Sequence, residues 1–334
     1  MTTSVRQARR VRLPWWGWCL VAVGVIILAV GASIQLLGTR GGTASQEAAK
    51  EVGPCATGAA TRLGAGTHVL RSGGVDRSYL IALPEDYSGA RAYPLVVNFH
   101  GHGGNKEKQE ANTAMGRTGS ARGYVVVTPD GLGTPANWNW RGSAGLADDF
   151  GFVHALLTEL RHQLCIDPQR VYATGHSNGS AFAAMLTCRA PYEFVAVAMV
   201  SATTPALCPA GVTPAVLAIH GTADPGVPYN GGQNSLGRKT PLPAAPRIVE
   251  GYARRYHCGP APSHDHPAPG VDRTSYAKCD HGADVVLDGV VGGTHPWPGG
   301  AAAAADPADS AAGRTFKATE AILDFFDAHR GNTQ

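Results

Sequence analysis

Residues 170–180, RVYATGHSNGS, constrain this chain more than any other stretch. Val171, Tyr172, Ala173 and Thr174 begin it as a short β-branched and aromatic run, which predicts a strand. Gly175-His176-Ser177-Asn178-Gly179 breaks that run, and residues 181–186, AFAAML, predict a helix. Strand, G-x-S-x-G and helix in that order form a sharp turn that lifts a serine off the end of a strand. The crowded backbone of such a turn asks for glycine at both flanking positions. The serine then heads a helix, where developing negative charge is favoured. Taken alone, the pentapeptide is equally compatible with a glycine-rich turn that does no chemistry. The case for a nucleophile depends on a base, an orienting acid and an oxyanion-binding loop elsewhere in the chain.

The rest of the pattern predicts an α/β fold. Residues 94–100 and 124–128 are continuous apolar runs of the kind buried on both faces of a parallel sheet. Residues 195–200, 215–219 and 284–288 predict three more buried strands, and 67–71 with 77–82 flank Ser72-Gly73-Gly74 as a hairpin. Helices are expected over 146–164, 246–256 and 316–329, the last with Ile322, Phe325 and Phe326 on its core face. Strands alternating with helices call for a mostly parallel, twisted sheet covered on both faces. Residues 226–246 and 261–270 read as excursions at its edge, and 301–305 as an exposed loop.

The N-terminus differs from the body. Arg6, Arg9, Arg10 and Arg12 precede an uncharged stretch over 13–39, with Trp15, Trp16 and Trp18 at its start. That predicts a signal anchor or a signal peptide over 1–40, with the basic end held inside and the body outside the cytoplasm. Residues 41–66 read as an extracytoplasmic linker, and 67–334 as the catalytic domain. Setting the four arginines aside from 28 basic residues leaves 24 against 25 acidic ones. A near-neutral body excludes the basic surface that a nucleic-acid partner requires. Cys19 lies in the leader; Cys55, Cys165, Cys188, Cys208, Cys258 and Cys279 are an even set in an exported body. Six cysteines allow many pairings. Sequence proximity favours Cys258–Cys279 and Cys188–Cys208, which leaves Cys55 with Cys165.

In a doubly wound sheet, functional side chains gather at the carboxyl ends of the strands. Asp224 stands there, after the run 215–219, where an aspartate can hold an imidazole in the tautomer that accepts a serine proton. An Asx turn is the plainer role for it, with Pro225 adjacent. Asp148 and Asp149 read instead as acids in the first turn of the helix over 146–164, where the helix dipole favours them. His295 follows the last strand in Gly292-Gly293-Thr294-His295-Pro296-Trp297 and is positioned to act as general base. The chain order Ser177, Asp224, His295 is that of the α/β-hydrolases. Gly101-His102-Gly103-Gly104 follows a buried strand and offers an oxyanion donor at His102, with Gly103 as runner-up, alongside the N–H of Asn178. His100 reads as structural beneath that loop. Trp138 and Trp297, with Trp140, are candidates to line a pocket for the acyl group. His264-Asp265-His266 reads as a solvated loop rather than a metal site. H-E-x-x-H, P-loop and dinucleotide motifs are absent, so no metal or cofactor is expected.

With these residues in hand, 64–329 resembles the polyhydroxybutyrate depolymerase family of secreted esterases, which includes feruloyl and acetylxylan esterases. The likeness rests on residues 75–80 (VDRSYL), 99–104 (FHGHGG), 137–140 (NWNW) and 148–152 (DDFGF), where family members often carry Val at Phe150. It continues through 165–168 (CIDP), 170–179, 220–224 (HGTAD) and 293–299 (GTHPWPG). The resemblance implies an α/β-hydrolase fold, an ester substrate, and a triad of Ser177, Asp224 and His295. With no polymer-binding domain in sight, a small ester or soluble oligomer is the expected substrate. An acyltransferase with the same triad, or a non-catalytic binding module on this scaffold, are the alternatives.

Overall fold

The computed structural model describes residues 63–190, 193–205, 208–233 and 241–331. The expected leader, most of the linker and Cys55 lie outside the described residues. Among those described, no helix is long and apolar enough to cross a membrane.

Among the described residues, ten strands form one sheet. They are β1 (Gly66–Ser72), β2 (Val75–Ala82), β3 (Tyr93–Phe99), β4 (Val125–Pro129), β5 (Ile166–His176), β6 (Ala196–Val200), β7 (Ala215–Gly221), β8 (Ser263–Ala268), β9 (Val271–Tyr276) and β10 (Val285–Val290). Their order is β1-β2-β4-β3-β5-β6-β7-β10-β9-β8. The middle strands, from β4 across to β10, pair in parallel. Antiparallel strands flank them on both sides. The β1–β2 hairpin turns at Gly73 and Gly74, both at positive φ (58° and 81°), which glycine adopts without steric cost.

The helices are α1 (Lys106–Thr113), α2 (Met115–Ala121), α3 (Asp149–Gln163), α4 (Asn178–Arg189), α5 (Ala245–Arg255), α6 (Ala301–Ala305), α7 (Ala311–Thr315) and α8 (Ala318–Ala328). Alternate side chains of the central strands feed two separate cores, as the pleat requires. Leu95, Val97, Val171, Ala173 and Met199 pack with α3, α4 and α5 through Phe152, Leu156, Phe182 and Tyr252. Val96, Tyr172, Ala198 and Leu217 face the other way, onto Met115 of α2 and Ile322, Leu323 and Phe326 of α8. Phe325, expected with them, is only partly buried.

Three expectations are corrected. The segment 261–270 is not a loose excursion: β8 and β9 add two strands to the sheet. The residues of β8, SHDHPA, are almost all exposed, so no apolar alternation betrayed them. Residues 301–305 form α6 rather than a loop, with Ala303 buried beneath it. Asp149 does more than favour a helix dipole. Asp148 caps α3 by accepting from the N–H of Gly151, whereas Asp149 is buried and paired with Arg77 of β2 at 2.7 Å.

Among the described residues, Cys188 is bonded to Cys208 and Cys258 to Cys279.

Candidate active site

Ser177 sits between β5 and α4 with φ 53° and ψ −115°. Non-glycine residues rarely hold such a conformation, which costs about 1–3 kcal/mol and persists only where neighbours enforce it. The neighbours are backbone. A Cβ on Gly175 would come within 2.6 Å of Gly179, and one on Gly179 within 2.4 Å of the carbonyl oxygens of Phe99 and His100. The turn can therefore close only with glycine on both sides of the serine. The N–H of Ser177 donates to the carbonyl of Val200 on β6 at 2.9 Å, which fixes the elbow to the sheet. α4 leaves it as an almost wholly buried helix; Phe182 packs on Phe99 and Trp138, with ring centroids 5.0 and 5.1 Å away.

His295 reaches Ser177 from the loop after β10. Its Nε2 is 3.0 Å from Ser177 Oγ, and its Nδ1 is 2.7 Å from Oδ2 of Asp224. A carboxylate only accepts, so Nδ1 carries the proton and Nε2 presents its lone pair to the serine hydroxyl. Gly221, at the end of β7, lets the His295 loop approach: a Cβ there would meet the carbonyl oxygens of Gly293 and Thr294 within 2.4 Å. On its far side the loop is held by Asp309 Oδ1, which accepts the N–H of Thr294, and by Asp306, which accepts the Thr294 hydroxyl.

Asp224 makes the contacts of both arrangements that its position suggested. Oδ1 accepts the N–H groups of Gly226 at 2.8 Å and Val227 at 2.9 Å, an Asx turn, and leaves Oδ2 for His295. Burial alone would raise its pKa; hydrogen bonds from His220 and His295 outweigh that and hold the carboxyl well below its usual range. His220 is a neighbour that sequence reasoning did not single out. It is buried, its Nε2 lies 2.8 Å from the Val227 carbonyl and 3.4 Å from Asp224 Oδ2, and its Nδ1 takes the Thr203 hydroxyl at 3.0 Å.

The 101–104 loop lies against the elbow. A Cβ on Gly101 would stand 3.5 Å from that of Ser177. The N–H of Gly103 is committed to the carbonyl of Ala136 at 2.8 Å, and that of Gly104 to Gly101 at 3.0 Å. Gly103 is thereby disqualified as an oxyanion donor, and His102 is left as the candidate on this loop. Asn178 opens α4, whose first N–H groups have no partner within the helix. Its side chain also braces the neighbouring loop, since Oδ1 accepts from the N–H of Trp138 and Nδ2 donates to the Trp138 carbonyl. His100 lies beneath the loop as expected, accepting the N–H of Gly131 at Nε2 and contacting the Gly101 carbonyl through Nδ1.

The pocket expectation does not survive for two tryptophans. Trp138 is 0% exposed, and its indole N–H donates to the His100 carbonyl. Trp297 is 1% exposed in the opposite core and donates to Thr319. Each finds its polar partner inside the protein, which is what permits an indole to be buried. Trp140 is partly buried, with the Arg141 guanidinium 4.5 Å above its ring. No group of three or more His, Cys, Asp or Glu among the described residues is placed to hold a metal.

His176, between Gly175 and Ser177, is a second neighbour that the sequence did not flag. Its Nε2 is 2.9 Å from the backbone carbonyl of His295, and the two rings are 5.1 Å apart. Burial first, and then the neighbouring His295, push its pKa down to about 4.

Comparison with known proteins places this chain in a family. The family described as Esterase PHB depolymerase matches residues 77–216, which include the elbow. A Nocardia uniformis protein named "Putative esterase NocK" is 30% identical over 73% of this chain and 75% of its own length. The chain belongs to the PHB depolymerase and feruloyl esterase-like family. Another relative, "Probable feruloyl esterase C" of Aspergillus niger, is 32% identical over 47% of the chain and 58% of that protein. The match thus spans little more than half of the feruloyl esterase. The acetyl xylan esterase from Aspergillus awamori superposes with a TM-score of 0.51 at 13% identity, over 69% of this chain and 94% of its own. That is a likeness of fold, and the fold of this family member is the α/β-hydrolase fold.

Proposed function

We propose that the chain is an extracytoplasmic carboxylic ester hydrolase that works through Ser177, His295 and Asp224. The observation that carries the reading is the unbroken line from Ser177 Oγ to His295 Nε2 (3.0 Å) and from His295 Nδ1 to Asp224 Oδ2 (2.7 Å). Ser177 Oγ attacks the ester carbonyl as its proton passes to His295 Nε2. Asp224 stabilises the resulting imidazolium and keeps Nδ1 protonated. The N–H groups of His102 and Asn178 receive the charge that develops on the carbonyl oxygen. His295 returns the proton to the departing alcohol. A water then repeats the sequence on the acyl-serine, so that acid and free serine are released. Nothing in this cycle calls on a metal or cofactor.

Export is supported by the disulfides Cys188–Cys208 and Cys258–Cys279, since such bonds persist in oxidising compartments. The arginines and apolar run of residues 1–40 supply the route, either as a retained anchor with the membrane as partner or as a cleaved peptide. The domain division follows: leader 1–40, linker 41–66, catalytic body 67–334. N-terminal sequencing of the protein recovered from membrane and culture fractions distinguishes anchor from peptide.

The substrate is a small or oligomeric ester. Relatives named as feruloyl esterases make feruloyl and acetyl sugars two classes to test, and the family name makes hydroxybutyrate oligomers a third. A screen of the purified body against acetyl, butyryl, feruloyl and hydroxybutyrate esters should find hydrolysis of at least one class. Failure on all four, with no labelling of Ser177 by a fluorophosphonate, would remove the reading.

A further inference from the structure

We propose that His176 is a positioning residue that ties the loop bearing His295 to the serine elbow. The proposal rests on the catalytic reading above and concerns how its two reacting side chains are held in register.

His295 and Ser177 come from different elements. Ser177 is rigidly placed, because β5 pairs with β6 up to His176 opposite Val200 and its own N–H bonds to Val200. His295 lies in the irregular stretch after β10, where no helix or strand ladder fixes the backbone. The bonds from Thr294 to Asp309 and Asp306 anchor the loop from outside, toward α6 and α7. On the inner side, His176 Nε2 stands 2.9 Å from the carbonyl of His295 itself. That carbonyl can only accept, so Nε2 is the protonated nitrogen. The donor belongs to the residue covalently joined to the nucleophile, and the acceptor to the residue that carries the base. The tie therefore runs from the side chain next to the nucleophile to the backbone that carries the base.

The ring is held in place. A Cβ on Gly101 would come within 3.0 Å of its Nδ1, so the glycine leaves just enough room for the imidazole between the 101–104 loop and the His295 loop. Its low pKa keeps it neutral across the range in which such an enzyme works, so it adds no positive charge beside the imidazolium that forms on His295. A histidine serves here because it is a short, stiff donor that reaches the carbonyl from a fixed Cα.

The test compares three variants by kcat and KM on p-nitrophenyl acetate, normalised to the folded fraction by circular dichroism. His176→Leu removes the donor. His176→Gln keeps an amide N–H at a reach close to that of Nε2. His176→Asn, whose amide falls short, stands in if the leucine variant fails to fold. Misplacing a catalytic group by about 1 Å can cost about 100-fold, so His176→Leu and His176→Asn should lose about 10- to 100-fold in kcat with KM little changed. His176→Gln should recover most of the loss. A residue that merely fills space would lower the folded fraction and leave kcat per folded molecule intact. Full kcat in both loss variants, or a glutamine variant as slow as they are, overturns the proposal. Ser177→Ala serves as the baseline: if it retains activity, the catalytic reading itself falls. If it is silent while the loss variants are fully active, only the role of His176 falls.

Discussion

Asp224 holds His295 with one carboxylate oxygen, Oδ2 at 2.7 Å from Nδ1, and holds its own turn with the other, Oδ1 on the N–H groups of Gly226 and Val227. The division gives Asp224→Asn a definite outcome. The amide oxygen can replace Oδ1 and keep the turn, but the NH2 group then faces Nδ1 and forces the wrong tautomer on His295. The variant should fold with a near-normal melting temperature and lose about 10,000-fold in kcat, the size of the tautomer effect in serine proteases. A variant that keeps kcat within a few-fold, measured on p-nitrophenyl butyrate, would separate Asp224 from catalysis.

Stability should hinge on a buried pair outside the triad. Arg77 and Asp149 are 3% and 1% exposed, 2.7 Å apart, and join β2 to α3. Arg77 also lies 3.9 Å above the Phe152 ring, and Asp149 Oδ2 accepts the N–H of Asn139. Breaking a buried pair leaves an uncompensated charge, so Arg77→Met should cost about 3–5 kcal/mol in urea unfolding. Adding Asp149→Met should recover part of that, since the charge left behind is then gone. A double variant less stable than the single one would contradict this account of the cost.

Legibility in the sequence followed the kind of signal each feature carries. The central strands announced themselves because burial on both faces leaves continuous apolar runs, as in β3 and β7. The partners of Ser177 could be named because chain order and strand ends narrow thirteen histidines to one, and the structure brings His295 and Asp224 to it. β8 gave no such signal, since an exposed edge strand needs no apolar face. The burial of Arg77 and Asp149 could not be read, because what makes each tolerable in the core is the other, 72 positions away. His176 and His220 stood inside recognised motifs, yet each meets a backbone carbonyl, of His295 and of Val227, whose position only folding sets. Trp138 and Trp297 misled for a related reason: aromatic residues beside an active-site loop line a pocket or support it from below, and composition does not distinguish the two.

The low pKa of His176 predicts a pH dependence of folding. Its folded value of about 4 lies below the ordinary 6.5, so between those limits the unfolded chain binds a proton that the folded one refuses. Stability therefore falls as pH drops through that window. His176→Gln removes the titrating group and should flatten this part of the curve when the urea midpoint is followed from pH 7 to pH 4. Parallel curves for the two proteins would show that the folded-state pKa of His176 is not depressed. His100, also lowered by burial, is common to both and cancels in the comparison.

Cys258–Cys279 staples the end of α5 to the segment leading into β10, with a sequence separation of 21. A loop of that length corresponds to about 3 kcal/mol of unfolded-state entropy. Replacing both cysteines with serine should lower the unfolding free energy by about that amount while leaving kcat within a few-fold, since neither residue touches the site. Loss of kcat at full folding would show that the staple shapes the active centre.

The central claim is that the hydroxyl of Ser177 is the group that attacks the ester, and the most direct measurement is the rate of p-nitrophenyl butyrate hydrolysis by Ser177→Ala beside the parent protein. The oxyanion-binding loop and the fold stay in place in that variant, so the account predicts an unchanged circular dichroism spectrum and a rate down by about a million-fold, at the limit of detection. A correctly folded Ser177→Ala protein that still turns over the ester at a rate near the parent's would contradict it.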